Sequence, residues 1–208
     1  MDLQFYGANC LVVATKQARL VVDDNLAELG GKSPAKEGDI ALFTMAHADS
    51  AQPAKLVIDQ PGEYEVAGVS VFGISARAHI DEEGQHTATM YKLVVEDTTL
   101  LITGHIYPEL TDDQLETIGM IDVMCVPVGG NGYTLDAVGA LKLIKKVEPK
   151  LVIPTHYADD ALAYPVPQQS LEDALKALAM QPKETVAKLR VKTAELGETT
   201  QLVVLERP

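Results

Sequence analysis

The sequence predicts an α+β protein in which two β-sheets pack together and helices cover their outer faces. Short apolar runs of strand length fill the first half of the chain, and helix start signals appear only after residue 110. Because an apolar sheet face must be buried against another layer, this order of elements favours two stacked sheets with helices outside. The 208 residues suit one domain spanning 1–208, and a hydrophobic content of 47% supports a sizeable core.

Apolar runs in the first half predict a succession of strands. Each run has strand length and is bounded by turn residues such as glycine, proline and asparagine. The polar segment from Asn25 to Asp39 is rich in small residues and predicts a loop. The predicted strands are 3–6, 10–15, 19–24, 40–43, 56–59, 64–66, 69–74, 90–96 and 99–103.

Helix signals alternate with strands in the second half. Thr111 and Gln114 match a capping box, and Gly119 is expected to end that short helix. Thr134 and Ser170 are expected to cap two further helices. Strands are predicted at 121–126, 151–153 and 200–205. The glycine-rich segment 128–133 lacks the phosphate-loop patterns, so a tight strand-to-helix turn is favoured there.

The composition argues against some partners and compartments. A net charge of −13 without a basic patch would repel nucleic-acid phosphates. No run approaches the roughly 20 apolar residues of a membrane span, and the N-terminus lacks a signal-peptide pattern. Cys10 and Cys125 lie in apolar surroundings without CxxC spacing, which predicts buried thiols in a reducing compartment. We expect a cytoplasmic protein without nucleic-acid or membrane partners; the sequence leaves open whether it forms a homo-oligomer.

Four of the five histidines come just after predicted strands, and an aspartate, Asp49, follows the first of them. These histidines are His47, His79, His105 and His156. Strand ends in proteins that mix helices and strands are where functional groups are usually mounted. A lone histidine of this kind is more often structural, whereas four in equivalent positions favour a shared site.

Several further blocks accompany these histidines. They are Asp23 after the third strand, the stretch 42–50, Pro61-Gly62-Glu63-Tyr64-Glu65, His79, Gly104-His105, Pro127-Val128-Gly129-Gly130 and Pro154-Thr155-His156-Tyr157. With these blocks the chain resembles the metallo-β-lactamase superfamily, and it is most similar to the small branch that includes ascorbate-6-phosphate lactonase-like hydrolases. The resemblance runs from Leu3 to about Tyr157. It implies a four-layer αββα sandwich with a metal site along one edge of the two sheets.

The metal-binding motif of this chain departs from the family pattern. The family's HxHxDH motif supplies three histidines and an aspartate, but Met45 and Ser50 stand at the first and last histidine positions. His105 replaces the family's bridging aspartate, and Ala8 stands where the branch often has another histidine. The ligand positions that match the family are His47, Asp49, His79 and His156.

The remaining groups are enough for one metal ion and too few for two complete sets of ligands. A catalytic zinc needs three protein ligands and an open position for water. A neutral imidazole has one acceptor nitrogen, so His105 cannot bridge two cations as a carboxylate does. The resemblance therefore implies at most one zinc ion, with manganese as an alternative. Its candidate ligands are His47, Asp49, His79, His105 and His156, and Asp49 could instead be the catalytic base that orients the water.

Two functions fit this degenerate site. The first is a mononuclear metal-dependent hydrolase that cleaves a small ester, lactone or phosphoester with a metal-activated water. The second is a non-catalytic protein of the same fold that has lost a working metal site and binds a small ligand or a partner. An RNA-processing nuclease of the same superfamily is disfavoured because the chain is too short and too acidic.

Overall fold

The computed structural model describes residues 1–46 and 53–208, so that the predicted site residues His47 and Asp49 lie outside the described residues. In the described part, the chain forms two large sheets and three α-helices. The strands are β1 (Asp2–Gly7), β2 (Cys10–Ala14), β3 (Arg19–Val22), β4 (Ile40–Leu42), β5 (Leu56–Ile58), β6 (Gly62–Val66), β7 (Val69–Ala76), β8 (Ala88–Val95), β9 (Thr98–Ile102), β10 (Val123–Pro127), β11 (Leu151–Thr155), β12 (Glu184–Val186), β13 (Leu189–Arg190) and β14 (Gln201–Leu205). The helices are α1 (Asp112–Ile118), α2 (Ala137–Val147) and α3 (Leu171–Leu178). The predicted α+β class is confirmed.

The first sheet is built from strands in the first 58 residues together with β13, and the second sheet takes the remaining strands from β6 onward. Among the described residues, the first sheet has six strands in the order β13-β1-β2-β3-β4-β5. The second has eight strands in the order β12-β14-β11-β10-β9-β8-β7-β6. The strands β3, β4 and β5 are parallel to one another, as are β9, β10 and β11. The carboxyl ends of these strands carry the loops that form the candidate site.

The main core lies between the sheets. Side chains from the first sheet, such as Leu11 and Leu42, pack with Tyr91, Leu100 and Ile153 from the second, and all five are buried. Alternate residues of the second sheet form another core with the three helices. The outer face of the first sheet is covered, in the described part of the chain, by a 3-10 helix at Leu26–Leu29 and by Leu162.

Capping predictions were confirmed for two helices and wrong for one. The Thr111 hydroxyl accepts from the Gln114 amide at 3.2 Å, and the Gln114 side chain accepts from the Thr111 amide at 2.9 Å. Ser170 likewise caps α3. Thr134, however, does not cap α2, because Asp136 takes that position and accepts from the Gly139 amide at 2.7 Å. Thr134 is instead fully buried in the candidate site.

The two cysteines are in the state that the sequence predicted. Cys10 and Cys125 are both free and buried, as predicted, and burial raises the pKa of each thiol.

The short strands β12 and β13 were not predicted, because both are largely exposed and lack an apolar period. None of the helices in the described ranges is long and apolar enough to cross a membrane.

Asp122 ties three parallel strands together and should make stability depend on pH. Its carboxylate accepts from the Thr99 amide at 2.9 Å and pairs with Lys150 at 2.8 Å. Burial raises the pKa of Asp122, but the hydrogen bonds from Lys150 and Thr99 outweigh burial and lower the pKa below its usual value. A lowered pKa stabilises the fold above the unfolded value of about 3.9, and this contribution is lost as the pH falls.

We therefore expect Asp122→Asn to lower the free energy of unfolding by about 1.5–3 kcal/mol at pH 7, the range for hydrogen bonds with a charged group. Urea unfolding at pH 7 and pH 3 measures the effect, and the difference from wild type should shrink at the lower pH. Asp160→Asn, at an exposed position, is the matched control. An equal loss of stability at both pH values would contradict this account.

Candidate functional site

A polar cavity lies where the carboxyl ends of β3, β4, β9 and β11 meet. Its volume is about 170 Å³. The residues that line it are Asn9, Asp23, Asn25, Glu28, Phe43, Thr44, Met45, Ala46, His105, Tyr133 and His156. Two of the five predicted metal ligands, His105 and His156, thus meet in one cavity although 51 positions separate them in the sequence.

His105 and His156 are in direct contact. Their ring centroids lie 4.5 Å apart, and the rings meet edge to face at 89°. Burial lowers the pKa of His156 to about 4, and it lowers the pKa of His105 well below its ordinary value, with further repulsion from His156 and His79. Both imidazoles are therefore neutral at pH 7, which is the form that binds a metal ion.

The tautomer of His156 follows from its hydrogen bonds. The Gln168 side-chain amide donates through Nε2 to the Val166 carbonyl at 2.8 Å, so its Oε1 faces His156 Nδ1 at 3.1 Å. A carbonyl oxygen only accepts, so Nδ1 carries the proton and Nε2 keeps its lone pair. The backbone of His156 is left-handed, with φ of 52°, and its amide donates to the Ala8 carbonyl at 2.6 Å. These contacts hold the ring with Nε2 as the available ligand atom.

His105 is held in a similar way by Thr134. Its Nδ1 lies 2.6 Å from the Thr134 hydroxyl, which is completely buried. The aromatic ring of Tyr133, the neighbouring residue, lines the cavity 5.3 Å from the His105 ring and 6.2 Å from the His156 ring. Neither Thr134 nor Tyr133 was predicted as a site residue, because the segment 128–133 was interpreted as a turn and Thr134 as a helix cap.

Asp23 organises the opposite wall of the cavity. Its carboxylate accepts from Asn9 Nδ2 at 2.5 Å, from the Thr44 amide at 2.7 Å and from the Thr44 hydroxyl at 2.6 Å. The side-chain oxygen of Asn9 accepts in turn from the hydroxyl of Thr155, the residue before His156, at 2.7 Å. The network therefore joins the β1–β2 turn and the ends of β3, β4 and β11. Asn9 and Thr44 carry no sequence signal for this role.

His79 lies beside the pair but outside the cavity lining. Its amide donates to the His105 carbonyl at 2.7 Å, and its ring packs 6.2 Å from that of Tyr107. Burial lowers the pKa of His79, and its Nδ1 is buried without a hydrogen-bond partner in the described residues. His79 is thus anchored to His105 through the backbone. A ligand role for its ring stays a prediction.

The other two predicted ligands are not among the residues that the structure describes. His47 and Asp49 lie outside the described residues, and Met45 and Ala46, which precede them in the sequence, line the cavity. Within 1–46 and 53–208, no three His, Cys, Asp or Glu side chains converge as a metal site would require. The described residues supply a pair of imidazoles, so a complete site needs at least one more ligand.

Two glycines allow the site loops to approach one another. A side chain at Gly129 would overlap the His156 carbonyl and the Gln168 side chain. Gly104, with φ of 61°, packs so closely on Thr44 that a Cβ would lie 2.5 Å from the Thr44 Cβ. Glycine at these positions therefore lets the β9 and β10 ends close against β4 and β11.

A comparison with protein families assigns this architecture to a class. The model of the beta-lactamase superfamily domain matches residues 2–156, which is most of the chain. The protein therefore belongs to the beta-lactamase superfamily. A metal-dependent hydrolase of Carboxydothermus hydrogenoformans is 46% identical over 43 residues, which cover 21% of this chain and 19% of that relative. The match thus spans about a fifth of the relative's length.

Solved structures of the same fold agree with this assignment. A candidate Zn-dependent hydrolase of the metallo-beta-lactamase superfamily from Thermotoga maritima superposes with a TM-score of 0.76 and 24% identity, covering 99% of this chain and 98% of that one. Igni18, a metallo hydrolase from Ignicoccus hospitalis, superposes with a TM-score of 0.65 and 16% identity, covering 99% and 95%. At these identities the likeness establishes the fold.

Proposed function

We propose that this protein is a metal-dependent hydrolase that uses a single ion, zinc or manganese, to cleave a small ester, lactone or phosphoester. The observation that carries the proposal is the pair of neutral imidazoles, half-buried for His105 and buried for His156, that meet in the lining of a polar cavity. The superfamily assignment and the similarity to a metal-dependent hydrolase support the same conclusion.

The groups around the cavity suit such an ion. His156 presents an Nε2 lone pair because its Nδ1 donates to Gln168, and His105 has its Nδ1 engaged by Thr134. Ligating histidines usually have this second hydrogen bond, which fixes ring orientation and raises basicity. The unpartnered Nδ1 of His79 is a further buried nitrogen nearby. We propose His105 and His156 as ligands, with His47, His79 and Asp49 as candidates to complete the set.

The same contacts indicate what the protein's own residues would do in the reaction. A bound ion would supply Lewis-acid activation of water and of the substrate oxygen. The Asp23–Asn9–Thr44 network holds the cavity wall rigid, and Tyr133 lines the cavity beside both histidine rings. Asp49 is either a ligand or the base that takes a proton from the attacking water.

Metal analysis of the purified protein tests this proposal directly. Protein purified without chelator and offered zinc or manganese should retain about one equivalent of ion and hydrolyse a small ester or lactone. Retention of less than about a tenth of an equivalent would reject the proposal. Dialysis against a chelator should abolish activity, and zinc or manganese should restore it.

Thr134→Val tests whether the buried hydroxyl orients His105. Valine keeps the volume of threonine but removes the hydrogen bond to Nδ1, so metal affinity should fall by about 10–100-fold. Thr134→Ser keeps the hydroxyl and should retain most of the affinity. Competition with a chromogenic chelator gives the metal dissociation constant, and thermal unfolding of the metal-free variants separates a loss of fold. Equal metal affinities of Thr134→Val and Thr134→Ser would show that the Thr134 hydroxyl does not orient His105.

A second function is favoured by one observation. Met45 lines the cavity at the position of the first histidine of the family motif, and its side chain also packs against the helix-side core. A thioether is a poor zinc ligand, so the protein could instead bind a small molecule or a partner without catalysis. Metal-dependent turnover of any lactone, phosphodiester or thioester would eliminate this alternative.

A further inference from the structure

We infer that the cavity selects a carboxylic ester or lactone that bears a positive or neutral group near the scissile carbonyl, and that it rejects phosphoesters and carboxylate-bearing esters. This inference rests on the proposed hydrolase function and narrows its substrate class. It identifies Glu28, at the rim of the cavity, as the residue that determines the preference for charge.

The charges around the cavity carry the argument. Asp23 and Glu28 are the two carboxylates among the described lining residues, and no lysine or arginine lines the cavity in that part of the chain. Proteins often bind phosphate or carboxylate groups with lysine, arginine or a helix N-terminus. The described lining of this cavity supplies neither lysine nor arginine for such a group.

A bound ion would not reverse this balance. A divalent cation brings two positive charges, which the carboxylates of Asp23 and Glu28 already match. On the described lining residues the loaded cavity would therefore be close to neutral, and an anionic substrate would gain little from entering it.

Glu28 is placed to act on a substrate rather than on the fold. It lies on the 3-10 helix Leu26–Leu29, whose two terminal leucines are buried and anchor the helix to the first sheet. The Glu28 side chain itself is exposed and makes no hydrogen bond or ion pair within the described residues. The next basic residues along the chain, Lys32 and Lys36, line a different cavity with Tyr6 and Arg19.

A matched series of p-nitrophenyl esters tests the inference. The cationic ester of 4-(trimethylammonio)butyrate, the neutral ester of 5,5-dimethylhexanoate and the anionic half-ester of glutarate release the same product and differ mainly in charge. A carboxylate about 6 Å from the substrate charge changes affinity by roughly 3–10-fold in a partly exposed site. We expect kcat/KM to fall by about that factor at each step from cationic to neutral to anionic. Bis(p-nitrophenyl) phosphate should be the slowest.

Variants of Glu28 identify the source of the preference. Glu28→Gln should narrow the ratio of cationic to anionic ester by roughly 9–100-fold, the product of the two steps, and Glu28→Lys should invert the ratio. Both should change kcat/KM of the neutral ester less than that of either charged ester. Glu37→Gln, an exposed change in the same loop, is the matched control. Faster cleavage of the anionic ester or of the phosphodiester than of the neutral ester, or a ratio unaffected by Glu28, would overturn the inference.

The charge preference can be separated from catalysis. If no ester is hydrolysed, the amides of the same three acids are titrated into the protein and followed by NMR chemical shifts. Stronger binding of the cationic amide that depends on Glu28 would uphold the charge preference while the hydrolase proposal fails. Absence of binding by all three, or equal binding, would overturn the inference as well.

Discussion

Replacing His156 with asparagine should lower kcat/KM of the metal-dependent reaction by at least about 100-fold and reduce metal content in parallel. The loss of a hydrogen-bond partner of a ligand already costs about 10–100-fold in metal affinity, so the loss of a ligand should cost at least the upper part of that range. Asparagine is chosen because the left-handed backbone at His156 strains alanine, whereas asparagine tolerates it. Metal content by elemental analysis and initial rates at saturating metal measure the two effects.

His86→Asn is the matched control for this prediction. His86 is the one histidine that was not predicted as a metal ligand. It is exposed and does not line the cavity of His105 and His156. Its replacement should leave metal content and rate within about twofold of wild type, since surface changes are usually close to neutral. If His156→Asn kept a full equivalent of metal, His156 would not be a ligand, and the proposed site would have to be rebuilt around other groups.

Gly104→Ala should destabilise the protein by about 2–5 kcal/mol. The left-handed backbone at φ 61° costs a non-glycine residue roughly 1–2 kcal/mol. The added methyl group would also meet the Thr44 side chain, and overpacking of this kind costs about 1–3 kcal/mol more. Because Thr44 bonds to Asp23 and His105 follows Gly104, the displacement should also weaken metal binding.

Gly84→Ala separates the two contributions. Gly84 also has a left-handed backbone, with φ of 87°, but apart from its own chain neighbours no atom of the described residues lies within 4 Å of the position of its added Cβ. Its replacement should cost only the backbone contribution of roughly 1–2 kcal/mol. Urea unfolding of both variants gives the difference. Equal losses at the two positions would show that the contact with Thr44 has no effect on stability.

Most of the strands and two of the three α-helix starts could be predicted from local patterns. Apolar runs and capping residues act over a few positions, so the capping box at Thr111 and Gln114 was confirmed in detail. Thr134 shows the limit of this approach. Its residue type and position suit a helix cap, but Asp136 two residues later takes that role, and Thr134 turns inward to His105. A competition between two capping residues is decided by the buried partner, which no local pattern displays.

The candidate site was predicted in part for a similar reason. His105 and His156 carried a signal because each follows a strand, and the parallel strands β9 and β11 bring their carboxyl ends to one edge. Asn9, Thr44 and Tyr133 carried none, because a polar or aromatic side chain in a turn is usually a surface residue. They became site residues only through contacts with Asp23 and with the histidine rings.

The sequence by itself determined the α+β class, the strand ends that carry histidines, and the loss of imidazoles at Met45 and Ser50, because these depend on residue type and local spacing. The tertiary structure decided which groups meet. Folding brings His105 and His156 into edge-to-face contact and places Thr134 and Gln168 behind them. It also sets Glu28 at the rim of a cavity without lysine or arginine in its described lining. Such convergence depends on how two sheets stack, and stacking is a property of the whole core rather than of any one segment.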